Sequence, residues 1–353
     1  MSPKPEPGRT RAGQGTRVVA IGGGTGLSTL LKGLKLYTHT AAEQSSSGLF
    51  ISDLTAVVTV SDDGGSSGRL RRELNMLPPG DVRNCLVALS EDESLLSRLF
   101  QYRFTGGGDL EGHSFGNLFL AALTAMTGDF AVAVKQASEI LATRGHILPA
   151  TSANVQLEAV MDDGSHVVGE TRINGSDKRI VELMMRPENP EPLPQTLEAI
   201  GKADLITIGP GSLFTSLIPN LLVRGVTEAI VQSSATKVFI CNLMTESNES
   251  LHMSASDHIM AIYAHATPGL FNYALVNSEP VSDQTLERYA AEQAEPVECD
   301  TGMVESLGVQ CITGNFIEEK EVVRHATDRI CQGLLRLAQS TRKEMATAHR
   351  GGR

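Results

Sequence analysis

The sequence predicts an α/β protein with a Rossmann-like, doubly wound, mostly parallel sheet and a small β insertion. Three observations lead to this prediction. Short apolar segments rich in β-branched residues, such as LTAVVTV (54–60), are typical of strands buried in a parallel sheet. Segments with apolar residues at helical spacing alternate with these strands. Glycine-rich turns follow several strands, and ligands of such sheets bind outside the carboxyl ends of the strands.

The first half of the chain begins with a strand, a tight turn and a helix in RVVAIGGGTGLSTLLKGLK (17–35). The next strand ends at Ser61, and SDDGGSSGRL (61–70) is predicted to be a loop. Asp81 is expected to cap a helix over VRNCLVALS (82–90), because aspartate accepts hydrogen bonds from the free N–H groups of a first turn. Further helices are predicted near 94–102, after the cap residue Ser114, and over 130–142.

The second half begins with a change of pattern. Between about 150 and 190, apolar and polar residues alternate around an Asp-Gly pair, which indicates a hairpin and therefore a small β insertion. Strands are predicted again in ADLITIGPGS (203–212), TKVFICNLM (236–244) and FNYALVNS (271–278). Helices are predicted over 194–201, 220–231, 256–265, 283–292 and 322–341. The whole pattern predicts a disordered tail (1–15), one Rossmann-like nucleotide-binding domain (16–341) and a basic tail (342–353).

Composition and charge restrict the class of partner. The chain has 353 residues, a net charge of −11, 4% aromatic residues and no Trp. An acidic surface repels polyphosphate backbones, and few aromatic side chains are available for base stacking, so no nucleic-acid partner is expected. Small phosphorylated ligands remain compatible, because backbone N–H groups and a local arginine cluster can bind them.

The cysteines and the termini indicate the compartment. The five cysteines form no CxxC pair, which favours a reducing compartment and argues against a zinc site. The N-terminus lacks the apolar core of a signal peptide. No apolar run reaches about 18 residues, so no membrane span is predicted. We therefore expect a cytoplasmic protein.

The GGGTG turn (22–26) follows the first strand and opens a helix. Glycines let a phosphate approach the backbone, and the helix N-terminus offers free N–H groups with partial positive charge. The turn lacks the Gly-Lys-Ser/Thr of a P-loop, and Leu27 stands where a dinucleotide fingerprint has its third glycine. The alternative is a tight turn without a ligand. Our candidate nucleotide-binding residues here are Gly23, Gly24, Thr25 and Gly26.

A second turn, GPGS (209–212), ends a later strand, and its backbone N–H groups can form a nest for an anion. The candidate nucleotide-binding residues of this region are Gly209, Gly211 and Ser212, together with Asn242 after the following strand.

Two successive acids, Asp62 and Asp63, follow the second strand. In a loop their carboxylates can converge, whereas in a strand they would point to opposite faces. Paired acids can bind Mg²⁺, accept hydrogen bonds from a hydroxyl-rich ligand, or act as a general base. Asp62 and Asp63 are thus our candidates for catalysis and for metal binding, with Mg²⁺ as the candidate cofactor. The alternative is a mobile surface loop with solvated charges.

Four further polar residues lie at predicted helix starts. Arg83 and Asn84 in PPGDVRN belong to a first turn, where they can face an anion. His113 in GHSFGN lies beside a helix start, and Asn117 lies one turn into that helix. All four are candidate nucleotide-binding residues, whereas Cys85 is expected in the core.

Five segments together resemble the gluconeogenesis factor family of bacteria. They are VVAIGGGTGLSTLLKGLK, LTAVVTVSDDGGSSGRLRRELNMLPPGDVRNCLVAL, GHSFGNL, ITIGPGSLFTSLIPNLLV and CNLMT, and the match runs from about 17 to 330. The family is related in fold to 2-phospho-L-lactate transferase. The resemblance implies a cytoplasmic, Rossmann-like protein that binds UDP-sugars such as UDP-N-acetylglucosamine and supports cell shape and envelope synthesis during gluconeogenic growth.

The resemblance also leaves two functions open. The first is a regulator that binds a nucleotide-sugar without consuming it, with a homo-oligomer and an envelope-synthesis protein as possible partners. The second is a metal-dependent transferase of phosphorus-containing groups, as the related enzyme uses a divalent metal and a guanosine diphosphate-linked lactyl substrate. A dehydrogenase is disfavoured, because the dinucleotide fingerprint fails. One departure bears on ligand preference: after CNLMT, relatives carry Gln-Pro-Gly-Glu-Thr, whereas this chain has ESNES from Glu246 to Ser250.

Overall fold

The computed structural model describes residues 15–38, 48–91, 95–319 and 322–351. The predicted tail 1–15 lies outside these ranges except for Gly15. The strands are β1 Thr16–Gly22, β2 Ile51–Val58, β3 His146–Pro149, β4 Gln156–Met161, β5 His166–Val168, β6 Ile180–Arg186, β7 Leu205–Ile208, β8 Thr236–Ile240, β9 Tyr273–Asn277, β10 Gln310–Gly314, β11 Ile317–Glu319 and β12 Val323–His325.

The helices lie between these strands and after the last one. They are α1 Gly24–Lys35, α2 Gly65–Leu74, α3 Gly80–Leu89, α4 Leu95–Gln101, α5 Phe115–Thr127, α6 Phe130–Ile140, α7 Glu170–Asn174, α8 Pro194–Lys202, α9 Ile218–Leu221, α10 Val226–Gln232, α11 Ala255–His265, α12 Asp283–Ala291, α13 Thr301–Ser306 and α14 Thr327–Gly351. A π-helix, Leu213–Leu217, directly precedes α9.

A seven-stranded parallel sheet forms the centre of the fold, in the order β3-β2-β1-β7-β8-β9-β10. Ala20 of β1 pairs with Ala56 on one side and with Thr207 on the other. The direction of chain progression along the sheet reverses between β1 and β7, which makes this pair the topological switch point. The structure confirms the predicted Rossmann-like α/β fold.

Helices cover the sheet on both faces, which is why its strands are apolar on both sides. Helix α1 packs against α3 and α14, while α8 contacts β1 and α10. The central residues of β1, from Val18 to Ile21, are buried.

The β insertion is a three-stranded antiparallel sheet in the order β5-β4-β6. It lies within the predicted range, and the Asp-Gly turn joins β4 to β5. Helix α7 lies between β5 and β6 of this sheet. A separate hairpin, β11 with β12, precedes the last helix.

Several elements differ from the sequence prediction. Only the first residues of SDDGGSSGRL form a loop, because α2 begins at Gly65 and buries Ser66, Ser67 and Leu70. Tertiary packing here overrides the low helix propensity of glycine and serine. Asp81 is not a cap: α3 begins at Gly80, and Asp81 lies inside its first turn.

Two helix boundaries also differ. The predicted helix 220–231 is interrupted by Gly225, whose φ of +76° separates α9 from α10. The predicted helix 322–341 begins only at Thr327, after β12, and continues through most of the segment 342–353, as far as Gly351.

No single helix of the described residues is both long and apolar enough to span a membrane. The bent pair Leu213–Leu221 and Val226–Gln232 meets the length and composition criterion only when its two parts are combined across a 75° bend.

Candidate functional site

A cavity of about 700 Å³ opens where β1, β7 and β8 end. This position is the switch point of the sheet, where doubly wound folds bind their ligands. Seven of the predicted nucleotide-binding residues line the cavity: Gly23, Gly24, Thr25, Gly26, Gly211, Ser212 and Asn242. The predicted loops at three separate strand ends are therefore brought together in one site.

The first loop supplies the N-terminus of α1. The N–H groups of the first turn of a helix have no acceptor within the helix, and those of Gly24, Thr25 and Gly26 belong to this set. Gly24 has a φ of +59°, in the left-handed region that glycine tolerates best. A Cβ at Gly26 would lie 2.3 Å from the carbonyl oxygen of Pro210, so glycine is required there for the first loop to pack against the second.

The second loop is held by the side chain of Asn242. Its Oδ1 accepts from the N–H of Gly211 at 3.1 Å, and its Nδ2 donates to the carbonyl oxygen of Gly211 at 2.9 Å. The Ser212 hydroxyl donates to Glu246 at 2.8 Å. Gly209 does not line the cavity; its φ of +88° and its closeness to Ile240 make it a structural turn residue.

Asp81 reaches the first loop from α3. A Cβ at Gly23 would lie 2.7 Å from Asp81 Oδ2, and the backbone N–H of Gly24 stabilises the Asp81 carboxylate. Burial, with the charge of Asp62 as a second cause, raises the pKa of Asp81 to about 7. Asp81 thus satisfies one N–H group of α1 from another helix, and its charge changes near neutral pH.

Glu170, Glu246 and Glu249 complete an acidic wall of the cavity, to which Asp81 also belongs. Glu170 comes from α7 of the insertion, and burial together with Asp62, Asp81, Asp63 and Glu249 raises its pKa. Glu249 is buried and accepts from Phe214 N at 2.9 Å and from the Thr215 hydroxyl at 2.5 Å.

Burial, with the charge of Glu246 as a second cause, raises the pKa of Glu249. Burial also raises the pKa of Glu246 itself. The wall therefore carries less negative charge than its four carboxyl groups suggest, because burial favours their neutral forms.

Asp62 and Asp63, the predicted catalytic and metal-binding pair, engage different partners. Asp62 Oδ1 accepts from Gly64 N at 2.8 Å. Asp63 Oδ1 accepts from the backbone N–H and the hydroxyl of Thr171, at 2.8 and 2.6 Å, and so fixes the start of α7. In the ranges that the structure covers, no three His, Cys, Asp or Glu side chains are grouped to hold a metal ion. The described residues therefore offer no metal cage made of protein ligands alone. Magnesium binding by Asp62 and Asp63 stays a prediction, since Mg²⁺ is commonly held by one or two carboxylates together with substrate phosphates.

The remaining predicted residues form a separate buried polar network. Arg83 donates to the Ser114 hydroxyl at 2.7 Å and to Asn84 Oδ1 at 2.7 Å. His113 Nδ1 hydrogen-bonds the Ser66 hydroxyl at 2.9 Å, and Asn117 Nδ2 donates to the same hydroxyl at 3.1 Å. None of Arg83, Asn84, His113 and Asn117 lines the cavity, so the network joins the starts of α2, α3 and α5 beside it.

Another part of the cavity lining is apolar and was not predicted. Leu243 and Met244 follow β8, and Tyr289 of α12 and Val323 of β12 face them. The Tyr289 hydroxyl accepts from Val323 N at 3.0 Å, which fixes the ring. His325 also belongs to this part of the lining; burial lowers its pKa to about 4, so the imidazole is neutral at pH 7.

Comparisons with known proteins agree with this architecture. Residues 18–317 match the family model described as 2-phospho-L-lactate transferase CofD. The chain is 49% identical over 319 residues to a gluconeogenesis factor of Halalkalibacterium halodurans, covering 90% of this chain and 95% of that protein. It is 47% identical over 326 residues to the gluconeogenesis factor of Bacillus subtilis, covering 92% and 99%.

A solved structure shows the same fold. The crystal structure of a UPF0052 family member from Bacillus halodurans has a TM-score of 0.85 at 49% identity, covering 91% of this chain and 99% of that one. The chain therefore belongs to the CofD family and, among its members, to the gluconeogenesis factors.

Proposed function

We propose that this chain binds a uridine diphosphate-sugar in the cavity at the switch point and acts as a regulator without consuming the ligand. The observation that carries the proposal is the convergence of two glycine-rich loops and Asn242 on one cavity of about 700 Å³. That volume lies within the range of small-molecule and cofactor sites.

The diphosphate is placed at the N-terminus of α1. Thr25 and Gly26 line the cavity and offer N–H groups that the helix itself does not use. The positive end of the helix dipole favours an anion at this position. The second loop, around Gly211, borders the other side of this proposed diphosphate site.

The sugar is placed against the acidic wall. Asp81, Glu170 and Glu249 have raised pKa values, so these carboxyl groups both donate and accept hydrogen bonds near neutral pH. Such groups match the hydroxyls of a hexose and repel a neighbouring diphosphate less than carboxylates would. The acids therefore bind hydroxyl groups and need no bridging cation.

The base is placed against the apolar wall of Leu243, Met244 and Tyr289. The Tyr289 ring is fixed by the hydrogen bond between its hydroxyl and Val323 N and offers a flat face for a nucleobase, and Leu243 and Met244 exclude water around that face. The whole chain is assigned to the cytoplasm, as a factor for cell shape and envelope synthesis during growth on gluconeogenic carbon. The gluconeogenesis factor names of its relatives support the connection with gluconeogenic growth.

The test is to incubate the protein with UDP-N-acetylglucosamine, with Mg²⁺ or with EDTA, and to follow both binding and the nucleotide pool. We expect saturable binding under both conditions and full recovery of the intact nucleotide-sugar. Release of UDP or UMP, or binding that EDTA abolishes, would contradict a metal-independent regulator.

The second candidate is a transferase acting at a nucleoside diphosphate-linked substrate. The match to a family named for 2-phospho-L-lactate transferase favours it, as does Asp62, which lies close enough to influence Asp81 at the cavity wall. Asp62 is then the candidate general base. The same incubation, with an added acceptor alcohol, detects transfer as nucleoside monophosphate or diphosphate released.

A further inference from the structure

A second groove, of about 480 Å³, lies on one face of the main sheet between α6 and α8. We call it the α6–α8 groove, and it shares no lining residue with the switch-point cavity. Its floor is a strip of β1, β2 and β3. Val19 pairs with Thr55, which pairs with His146, so the three side chains lie next to one another on the same face of the sheet. The floor is therefore built by the sheet itself and does not depend on a loop.

The two flanking helices each line the groove with one face. Their lining residues recur at the spacing of a helix face, and they are Ala131, Val132, Lys135 and Ser138 of α6 and Gln195, Glu198, Ala199 and Lys202 of α8. Leu148 and Leu193 extend the apolar part of the lining. Small-molecule sites are typically concave and largely apolar, have a few polar groups that orient the ligand, and measure roughly 300–1,000 Å³. The α6–α8 groove has the size and the lining of such a site.

The charged groups around the groove favour an anionic ligand. Three pairs are already formed at its rim: Arg17 with Asp204 at 2.9 Å, Lys202 with Glu198, and His146 with Asp53 at 4.0 Å. Lys135 is exposed on α6 and has no ion-pair partner in the part of the chain that the structure describes. One turn along the same helix, the buried Ser138 hydroxyl has no hydrogen-bond partner among those residues. The α6 side of the groove thus has a cation and a hydroxyl that no described protein group uses.

We propose that the α6–α8 groove binds a small amphipathic monocarboxylate, such as a fatty acid of medium chain length. The carboxylate is placed beside Lys135 and Ser138, because Asp53 and Glu198 disfavour an anion on the β2 and α8 sides of the groove. The aliphatic chain is placed over the floor around Val19, where it leaves water. The two sites are separate, so a ligand in this groove leaves the switch-point cavity open.

The first test is a calorimetric titration of the full chain with hexanoate, octanoate and decanoate. Burial of each CH₂ group contributes ~0.8 kcal/mol, which corresponds to a gain of about fourfold in affinity. We therefore expect one bound carboxylate per chain and a gain of roughly 15-fold from each acid to the next. Octan-1-ol has the same chain without the charge and should bind about threefold more weakly than octanoate. Affinity that does not rise with chain length, or octanol that binds as tightly as octanoate, would overturn the proposal.

The second test uses two groove variants and a matched control. Lys135→Gln should weaken octanoate binding roughly three- to fivefold at low salt and reduce its salt dependence, because it removes the ion pair with the carboxylate. Ala131→Phe fills the groove from α6 and should weaken octanoate binding roughly tenfold or more, because the ring takes the place of the aliphatic chain. Lys32→Gln, an exposed lysine of α1 that does not line the groove, should bind like wild type. Circular dichroism and unfolding in urea check that each variant is folded.

Wild-type affinity for octanoate in folded Lys135→Gln, or an equal loss in Lys32→Gln, would overturn the proposal. A crystal structure of the full chain with decanoate then shows what occupies the groove. We expect density for the acid over the sheet floor, with its carboxylate beside Lys135. A groove that is filled by another segment of the chain or by a neighbouring molecule, with the acid absent, would assign it to that occupant and overturn the carboxylate site.

Discussion

Replacing Asp81 by asparagine tests how an acidic wall accommodates a diphosphate. Asparagine keeps the shape and an oxygen acceptor for Gly24 N–H but removes the charge. The pKa of Asp81 is raised to about 7, so the wild-type carboxyl is about half ionised at pH 7. The first phosphate, bound at Thr25 and Gly26, would lie close to this carboxyl.

The magnitude follows from Coulomb's law. At roughly 5.5 Å and an effective dielectric of about 20, one phosphate charge and one carboxylate repel by about 3 kcal/mol. That energy corresponds to a further rise of roughly two units in the Asp81 pKa when ligand binds. Binding is therefore coupled to proton uptake, and the affinity is highest below pH 7 and falls as the pH rises towards about 9.

The assay is isothermal titration of UDP-N-acetylglucosamine from pH 6 to pH 8.5, in two buffers that differ in ionisation enthalpy. Wild-type affinity should fall about 20-fold across this range, with proton uptake near pH 8. Asp81→Asn should bind like wild type at pH 6 and more tightly than wild type at pH 8.5, with a weaker pH dependence whose remainder comes from Glu170 and Glu249. Asp109→Asn, on an exposed loop away from the cavity, is the matched control. A flat wild-type profile, or an Asp81→Asn profile with the wild-type slope, would refute the reasoning.

Three further predictions concern single residues. Gly24→Val should weaken UDP-sugar binding at least tenfold, because a β-branched side chain disfavours φ of +59° and blocks the approach to the α1 N-terminus. Gly201→Val in α8 is the control for the calorimetric titration, and an equal loss of affinity in both variants would contradict a ligand at Gly24. Arg83→Ala should lower the free energy of unfolding in urea by roughly 1.5–3 kcal/mol through its lost hydrogen bonds and leave the affinity for the UDP-sugar unchanged. A large loss of affinity in a variant that stays stable would instead place Arg83 at the ligand. The pKa of Glu249 is higher in the folded protein than in the unfolded chain, so its titration lowers the free energy of unfolding as the pH rises from about 4.5 to about 7. Glu249→Gln removes this titration and should flatten that fall in stability. An unchanged slope of the free energy of unfolding against pH would contradict this.

The sheet and the two glycine loops were predictable from local patterns. Strands such as Ile51–Val58 are apolar along their buried length, and parallel strands place their carboxyl ends at one edge. GGGTG and GPGS both follow such strands. Their proximity therefore follows from the fold class and needs no knowledge of side-chain contacts.

The partners of individual side chains were not predictable in the same way. The sequence predicts Asp81 as a cap of its own helix, but its carboxylate accepts from the first turn of α1 instead. Asp62 and Asp63 are adjacent in sequence, yet one bonds within its loop and the other holds α7, more than a hundred residues away. The contact of Asp63 depends on where the insertion docks, and that of Asp81 depends on how α3 packs against α1; no local pattern specifies either.

Some cavity residues were not predicted for the same reason, because distant segments of the chain contribute them. Glu170 comes from the insertion, and Tyr289 comes from a helix near the C-terminus. Glu249 lies in the ESNES segment. The departure of this segment from the family pattern was the one sequence signal that could have assigned the loop to the candidate site. The helix at Gly65 was missed because glycine and serine disfavour helices in isolation, while burial against α5 stabilises this one.

The most direct test of the central claim is a crystal structure of the wild-type chain with UDP-N-acetylglucosamine. We predict density for the diphosphate within hydrogen-bonding distance of the backbone N–H groups of Thr25 and Gly26, with the sugar against Asp81 and Glu170 and the base against Tyr289. Ligand density at another site, such as the groove of about 480 Å³ between α6 and α8, with the switch-point cavity empty, would contradict the account.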